Sequence, residues 1–198
     1  DILLDHLQKS GMIGKVILAV GYRAEKVIEY YRDSRNFSFS IVFSVETELL
    51  GTGGAIRKAI GFSETETILA MNGDSYVDVN LKAMAAAHRA KKAMMTVVII
   101  EVPDASRYGK VLLDTKGRLV AFEEKKKDIA SGYVNAGVYL FNRNLVSGVA
   151  KDRVLSWEKD LLPGFLSDSV YGFISQGKFI DIGIPETYRM SGDYLKET

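Results

Sequence analysis

The chain is predicted to be an α/β protein, with a parallel sheet covered by helices on both faces. Three observations carry this. Short, nearly continuous apolar runs, such as Lys15–Val20 and Ile68–Met71, have the character of strands buried on both sides. Segments with apolar residues at three- and four-residue spacing alternate with those runs through the first half. Carboxylates also stand at or just past the ends of two apolar runs, Asp74 in Asn72-Gly73-Asp74 and Asp181 in Phe179-Ile180-Asp181-Ile182-Gly183. That is where an open α/β sheet presents groups to a ligand.

Taken in order, Ile2–Ser10 reads as a helix with Ile2, Leu3 and Leu7 on one face, stopped by Gly11. Lys15–Val20 is a strand, Arg23–Tyr31 a helix with Val27, Ile28 and Tyr31 inward, and Ser40–Val45 the next strand. A short helix over Gly53–Ile60 and a strand over Thr67–Met71 follow. Leu81–Lys91 is then a helix that lines up Leu81, Met84, Ala85 and His88, and Thr96–Val102 is a β-branched strand.

The second half changes character. Lys110–Leu113 and Leu119–Glu123 flank Asp114-Thr115-Lys116-Gly117, a hairpin signal with glycine where positive φ is needed. Gly132–Phe141 is a long strand, Asn142–Val149 a helix, and Ser156–Leu166 a helix capped by Ser156. Val170–Ile174 and Phe179–Ile182 are expected to pair across Gln176-Gly177, and Pro185 opens the last helix.

The 198 residues, 47% hydrophobic, suffice for one large domain or two small ones. With no repeat or linker, a single domain over residues 1–198 with a small β-hairpin insertion is preferred. Twenty-six basic against 25 acidic residues give a net charge of +1, so no basic field points to nucleic acid. The absence of cysteine excludes disulfides and thiolate metal sites, which turns attention to oxygen-ligated cations such as Mg²⁺. No apolar run is long enough to span a bilayer, and a cytoplasmic protein without a membrane partner is expected. Aromatic residues near Trp157 and Tyr171 serve either a homo-oligomer interface or the core.

Several stretches carry chemistry. Leu50-Gly51-Thr52-Gly53-Gly54-Ala55 lies between a strand and a helix. Its glycines would let a flat or anionic ligand approach the backbone, and the helix N-terminus would add free N–H groups. It is neither G-x-G-x-x-G nor a Walker A loop, and a plain tight turn is its bland reading. Asp74 has its own bland reading as a turn or capping residue, but Asp78 and Asn80 already serve that purpose before the Leu81 helix. Asp181, between isoleucines on a strand, is equally open to satisfaction by backbone donors. Together the two carboxylates can share one Mg²⁺ and leave positions for phosphate oxygens.

Glu124 and Lys125 follow Phe122 at a strand end. Lys125 suits a phosphate and Glu124 suits sugar hydroxyls, although a five-residue charge run is usually only solvated. His88 reads as structural, and no Ser/His/Asp constellation is apparent.

The order of Leu50-Gly51-Thr52-Gly53-Gly54-Ala55, Asn72-Gly73-Asp74, Tyr108-Gly109, Glu124-Lys125, Asn135-Ala136-Gly137 and Asp181-Ile182-Gly183-Ile184-Pro185-Glu186 resembles the sugar-1-phosphate nucleotidylyltransferases. The resemblance runs nearly the whole length. It implies a Rossmann-like three-layer αβα sandwich with a mixed, mostly parallel central sheet, and a reaction that joins a nucleoside triphosphate to a sugar 1-phosphate with release of pyrophosphate. It further implies that Asp74 and Asp181 hold Mg²⁺, and that Gly51, Thr52, Gly53, Gly54, Asn72 and Gly73 line the nucleotide. Tyr108, Gly109, Glu124 and Asn135 would face the sugar, and Lys125 its phosphate. The sugar phosphate is itself the nucleophile, so catalysis reduces to aligning two anions and screening their repulsion.

The family opens with a strand and a glycine-rich loop ending in Gly-Thr-Arg, and this sequence starts at what resembles the following helix. The single domain is accordingly expected to lack that strand and loop, and the chain as it stands to be catalytically incompetent. Glu46, ahead of the glycine-rich turn, would suit two adjacent N–H groups on guanine, which favours GTP. The stretch Glu46–Gly54 is similar to compact guanylyltransferases acting on heptose or mannose 1-phosphate. A uridylyl- or cytidylyltransferase for another envelope sugar phosphate, or a non-catalytic homologue that binds nucleotide sugars, are the alternatives.

Overall fold

A computed structural model describes residues 1–32, 37–105, 108–123 and 131–196. They fall into two compact units, each built from separated stretches of chain: residues 1–68 with 141–168, and residues 69–140 with 169–198.

In the first unit, α1 (Ile2–Ser10) ends on Gly11 at φ 63°, as its sequence requires. β1 (Lys15–Val20), α2 (Ala24–Arg32) and β2 (Ser40–Val45) form a βαβ unit. The two strands run parallel in register, Lys15 beside Ser40 and Val20 beside Val45. α3 (Gly51–Ala59) starts two residues earlier than the sequence suggests, because the glycine-rich stretch is itself its first turn. After a 3-10 turn, Ile60–Phe62, the chain enters β3 (Thr67–Met71), which leads out of this unit. On its return it makes a 3-10 turn at Arg143–Val146, shorter than the helix expected there. A π-helical turn at Trp157–Leu161 then leads into α5 (Leu162–Phe165). Ser156 caps that turn, accepting from the Lys159 N–H at 3.2 Å. Trp157 is buried and packs on Phe141 with ring centroids 5.0 Å apart, so it belongs to the core.

The second unit holds β4 (Ser75–Val77), α4 (Leu81–Ala90), β5 (Met95–Val102), β6 (Lys110–Leu113), β7 (Leu119–Glu123), β8 (Gly132–Asn142, whose last two residues belong to the first unit), β9 (Val170–Ser175), β10 (Phe179–Asp181) and α6 (Pro185–Lys196). Its sheet runs β7-β6-β8-β5-β9, with β3 also paired to β8. β5 and β9 are parallel, and β6–β7 is the expected antiparallel hairpin, with Gly117 at φ 77°. The hairpin is not an appendage, since Lys110 pairs with Val134 and joins it to the sheet. At its turn, the backbone N–H groups of Arg118 and Lys116 both donate to Asp114, which holds that carboxyl below its usual pKa.

α4 buries all four of Leu81, Met84, Ala85 and His88, with Asn80 capping its start. Nδ1 of His88 lies 2.9 Å from the Thr96 hydroxyl, and burial lowers its pKa, as suits a structural histidine.

The expected β9–β10 hairpin is corrected: β9 pairs with β5, and β10 pairs antiparallel with β4. The cause lies in the turn. A side chain at Gly177 would meet the Asp78 carbonyl oxygen at 2.1 Å, and the Ser175 hydroxyl donates to that same oxygen at 2.7 Å. Asp78 thereby anchors the connection and sends β10 to a different partner.

Candidate active site

The two strand-end carboxylates come together within the second unit. β3 ends at Met71, Asn72-Gly73 turns the chain, and Asp74 precedes β4. Ser75 pairs opposite Asp181 across the β4–β10 ladder, and the Ile182 N–H donates to the Asp74 carbonyl at 2.8 Å. The Gly183 N–H donates to Oδ1 of Asp181 at 2.7 Å. A Cβ built on Gly183 would lie 2.9 Å from that oxygen and 4.0 Å from Oδ2 of Asp74. Both carboxylates thus border the space beside one glycine, and Asp74 is exposed while Asp181 is half-buried.

The turn before Asp74 is held by β8. Gly137, at φ 74°, accepts from the Asn72 N–H at 2.8 Å through its carbonyl. A side chain there would stand 2.8 Å from Asn72 Nδ2 and 2.9 Å from the Ser75 hydroxyl. Asn135 supports this bend, since its Oδ1 accepts from the Gly137 N–H at 3.0 Å and its Nδ2 donates to the Tyr139 hydroxyl at 2.6 Å. The amide expected to face a sugar is engaged in shaping β8. Tyr108 is half-buried, its ring 5.7 Å from that of Phe179, and Gly109 follows it directly into β6. Glu124 and Lys125 lie outside the described residues.

The glycine-rich turn, in the first unit, differs from its sequence reading. Gly53 and Gly54 are buried, and their N–H groups donate to the Leu155 carbonyl at 2.7 and 3.3 Å. A Cβ at Gly54 would meet the Arg153 carbonyl at 2.4 Å, and one at Gly51, itself at φ 67°, the Leu155 carbonyl at 2.6 Å. The Thr52 hydroxyl oxygen accepts from the Trp157 N–H at 2.8 Å. The expectation of free helix-start N–H groups at Gly53 and Gly54 is therefore corrected: the close approach these glycines permit is made by residues 153–157. About a hundred residues separate the partners in sequence, and no local pattern announces the contact. Glu46, where β2 ends beside Gly21, accepts from the Leu50 N–H through one carboxylate oxygen at 3.1 Å.

Chemically, the Asp74–Asp181 pair fits a hard divalent cation. The donors are carboxylate oxygens, as such ions prefer, and among the described residues no third acidic or histidine ligand joins them. A two-carboxylate site with open positions is the arrangement Mg²⁺ uses when substrate phosphates complete its shell. No helix of the described residues is long and apolar enough to cross a membrane.

Comparison with known proteins decides the family. The model described as "Nucleotidyl transferase" matches residues 1–196. The chain belongs to the nucleotidyl transferase family.

Within it, the chain is 40% identical over 192 residues to a D-glycero-alpha-D-manno-heptose 1-phosphate guanylyltransferase of Aneurinibacillus thermoaerophilus, covering 96% of this chain and 82% of that protein. It is 31% identical to a mannose-1-phosphate guanylyltransferase of Mycobacterium tuberculosis, over 98% of this chain and 55% of the other. Among solved structures it is similar to HddC from Yersinia pseudotuberculosis complexed with GMP-PN, with TM-score 0.87 and 28% identity, covering 98% of this chain and 84% of that one. The family resemblance drawn from the motifs is borne out, and with it the α/β, Rossmann-like fold class and assignment as a sugar-1-phosphate nucleotidyltransferase.

Proposed function

We propose that this nucleotidyl transferase is a guanylyltransferase for a manno-configured sugar 1-phosphate, D-glycero-D-manno-heptose 1-phosphate first and mannose 1-phosphate second. The observation that carries the reading is the 40% identity to the heptose 1-phosphate enzyme across 96% of the chain. An oxygen of the sugar phosphate attacks the α-phosphorus of GTP, the bond to the β-phosphate oxygen breaks, and pyrophosphate leaves. Nucleoside triphosphates are cytoplasmic metabolites, so the reaction is placed there.

The residues take these roles. Asp74 and Asp181 hold Mg²⁺, which screens the charge between the two phosphates. The Ile182 N–H fixes the Asp74 main chain and the Gly183 N–H holds the Asp181 carboxylate before substrate arrives, so less reorganisation remains during reaction. Asn72 and Gly73 line the nucleotide from the turn that Gly137 holds. Glu46 keeps one oxygen on Leu50 and offers the other to the guanine edge. Gly51 and Thr52 border the base, while Gly53 and Gly54 support that turn from beneath. Tyr108 and Gly109 face the sugar with Glu124 and Asn135, and Lys125 neutralises the sugar's phosphate.

A panel of GTP, UTP, CTP and dTTP, each with heptose 1-phosphate and mannose 1-phosphate, tests the proposal by pyrophosphate release. GTP with the heptose phosphate is expected to give the highest kcat/KM. Faster turnover with UTP, CTP or dTTP would sink it.

A further inference from the structure

We propose that the first unit carries a second anion site, built by Arg57 and Arg143 and suited to a phosphate group. Arg57 stands in the last turn of α3 and Arg143 opens the 3-10 turn that follows β8. Both line one cavity of about 190 Å³, with Gly61, Asn144 and Ser147. None of its lining residues belongs to the carboxylate pair or the glycine-rich turn, and the inference does not rest on the nucleotidyl-transfer reading.

Each guanidinium is pinned by one hydrogen bond to a main-chain carbonyl. Nε of Arg57 donates to Val149 at 2.9 Å, and one terminal nitrogen of Arg143 donates to Ser63 at 2.5 Å. Orientation is fixed in this way while most of the five donors of each group remain available. Neither arginine has a carboxylate partner among the described residues, and no acidic residue lines the cavity.

The position of Arg57 has a local explanation, since a cation near a helix C-terminus is favoured by the helix dipole. That account does not extend to Arg143, nor to two cations lining one cavity without an acid. Like charges placed together repel, and an anion between them removes the penalty. The guanidinium fork matches phosphate oxygens, and the Asn144 amide adds a donor. Ser147 adds none, because its hydrogen goes to the Asn144 carbonyl at 2.8 Å.

Size narrows the ligand. The cavity is smaller than the roughly 300–1,000 Å³ typical of pockets that enclose a whole small molecule. It therefore takes a phosphate head and leaves the remainder of the molecule in solvent. Free phosphate and the phosphoryl group of a sugar phosphate present the same chemistry here.

The test follows the Nε–H signals of Arg57 and Arg143 in ¹⁵N-labelled protein, at constant ionic strength. Titration with inorganic phosphate is expected to move both signals along one saturating curve, and the wild-type titration needs no variant. Arg57→Lys and Arg143→Lys identify the signals. Each is expected to weaken the dissociation constant read from the remaining signal about tenfold, the scale of one charge-assisted hydrogen bond, with an unchanged melting temperature. A parallel titration with mannose 1-phosphate separates the sources: tighter binding there assigns the site to a phosphate ester, and equal binding to the free ion. Shifts that fail to saturate, that chloride reproduces, or that involve only one arginine would overturn the proposal.

Discussion

The glycine-rich turn at Gly51–Gly54 and the carboxylate turn at Asn72–Asp74 look alike in sequence, each a glycine-bearing loop after an apolar strand. In the structure their glycines do opposite things. At Gly51, Gly53 and Gly54 the chain itself fills the space of the missing side chains, with the Leu155 and Arg153 carbonyls and, at Gly53, the Leu161 side chain seated where Cβ atoms would stand. At Gly73 nothing lies within 4 Å of an added Cβ, and the residue is exposed beside an exposed Asp74. A glycine kept for internal packing is thus distinguished from one kept at an open surface by what occupies the space of its absent side chain.

The largest effect that would test this contrast belongs to Asp74. Asp74→Asn is nearly isosteric and sits outside the core, so the melting temperature should hold. Turnover should fall about 10²-fold or more, the scale of losing one charge-stabilising group at a transition state. Steady-state pyrophosphate release checks it, and undiminished Mg²⁺-dependent activity would remove Asp74 from the metal site. Gly54→Ala should do the reverse. Its new methyl would stand 2.4 Å from the Arg153 carbonyl and 2.8 Å from Leu50 Cβ, a clash with backbone that cannot rotate away. We expect a loss of about 1–3 kcal/mol in denaturant unfolding, with kcat per folded molecule unchanged. A melting temperature equal to wild type would mean residues 153–157 do not press on α3 as described.

What could be read from the sequence divides along the same line. The amphipathic stripe of α4, the Gly117 hairpin turn and the caps at Gly11, Asn80 and Ser156 all depend on residues within a few positions, and each was legible. Asp74 and Asp181 were legible as candidates because strand ends are marked locally. Their shared border at Gly183 was not, because it depends on β10 joining β4 rather than β9. That choice rests on Gly177 against Asp78, a contact across 99 residues. The burial of Gly53 and Gly54 is of the same kind. Local chemistry named the residues, and long-range packing decided which stand open and which face the chain.

Glu46 tests the edge of the first region at smaller cost. Glu46→Gln can keep the bond to the Leu50 N–H through its amide oxygen, so stability should barely change. The preference for GTP over UTP, read as a ratio of kcat/KM values, should fall about tenfold, the equivalent of one hydrogen bond to the base. An unchanged ratio would confine Glu46 to capping its own loop.

Gly73→Ala is the smallest change and the most discriminating partner to Gly54→Ala. No positive φ and no neighbouring atom oppose the methyl, so stability should stay within about 0.5 kcal/mol of wild type. If the turn is open because a nucleotide approaches it, the methyl stands in the ligand's place instead, and KM for GTP should rise severalfold while the melting temperature does not move. The two alanines would then separate cleanly, one costing stability without activity and the other affinity without stability. A Gly73→Ala enzyme with wild-type KM would take Gly73 out of the nucleotide site and leave the Asn72 turn as a support for Asp74 alone.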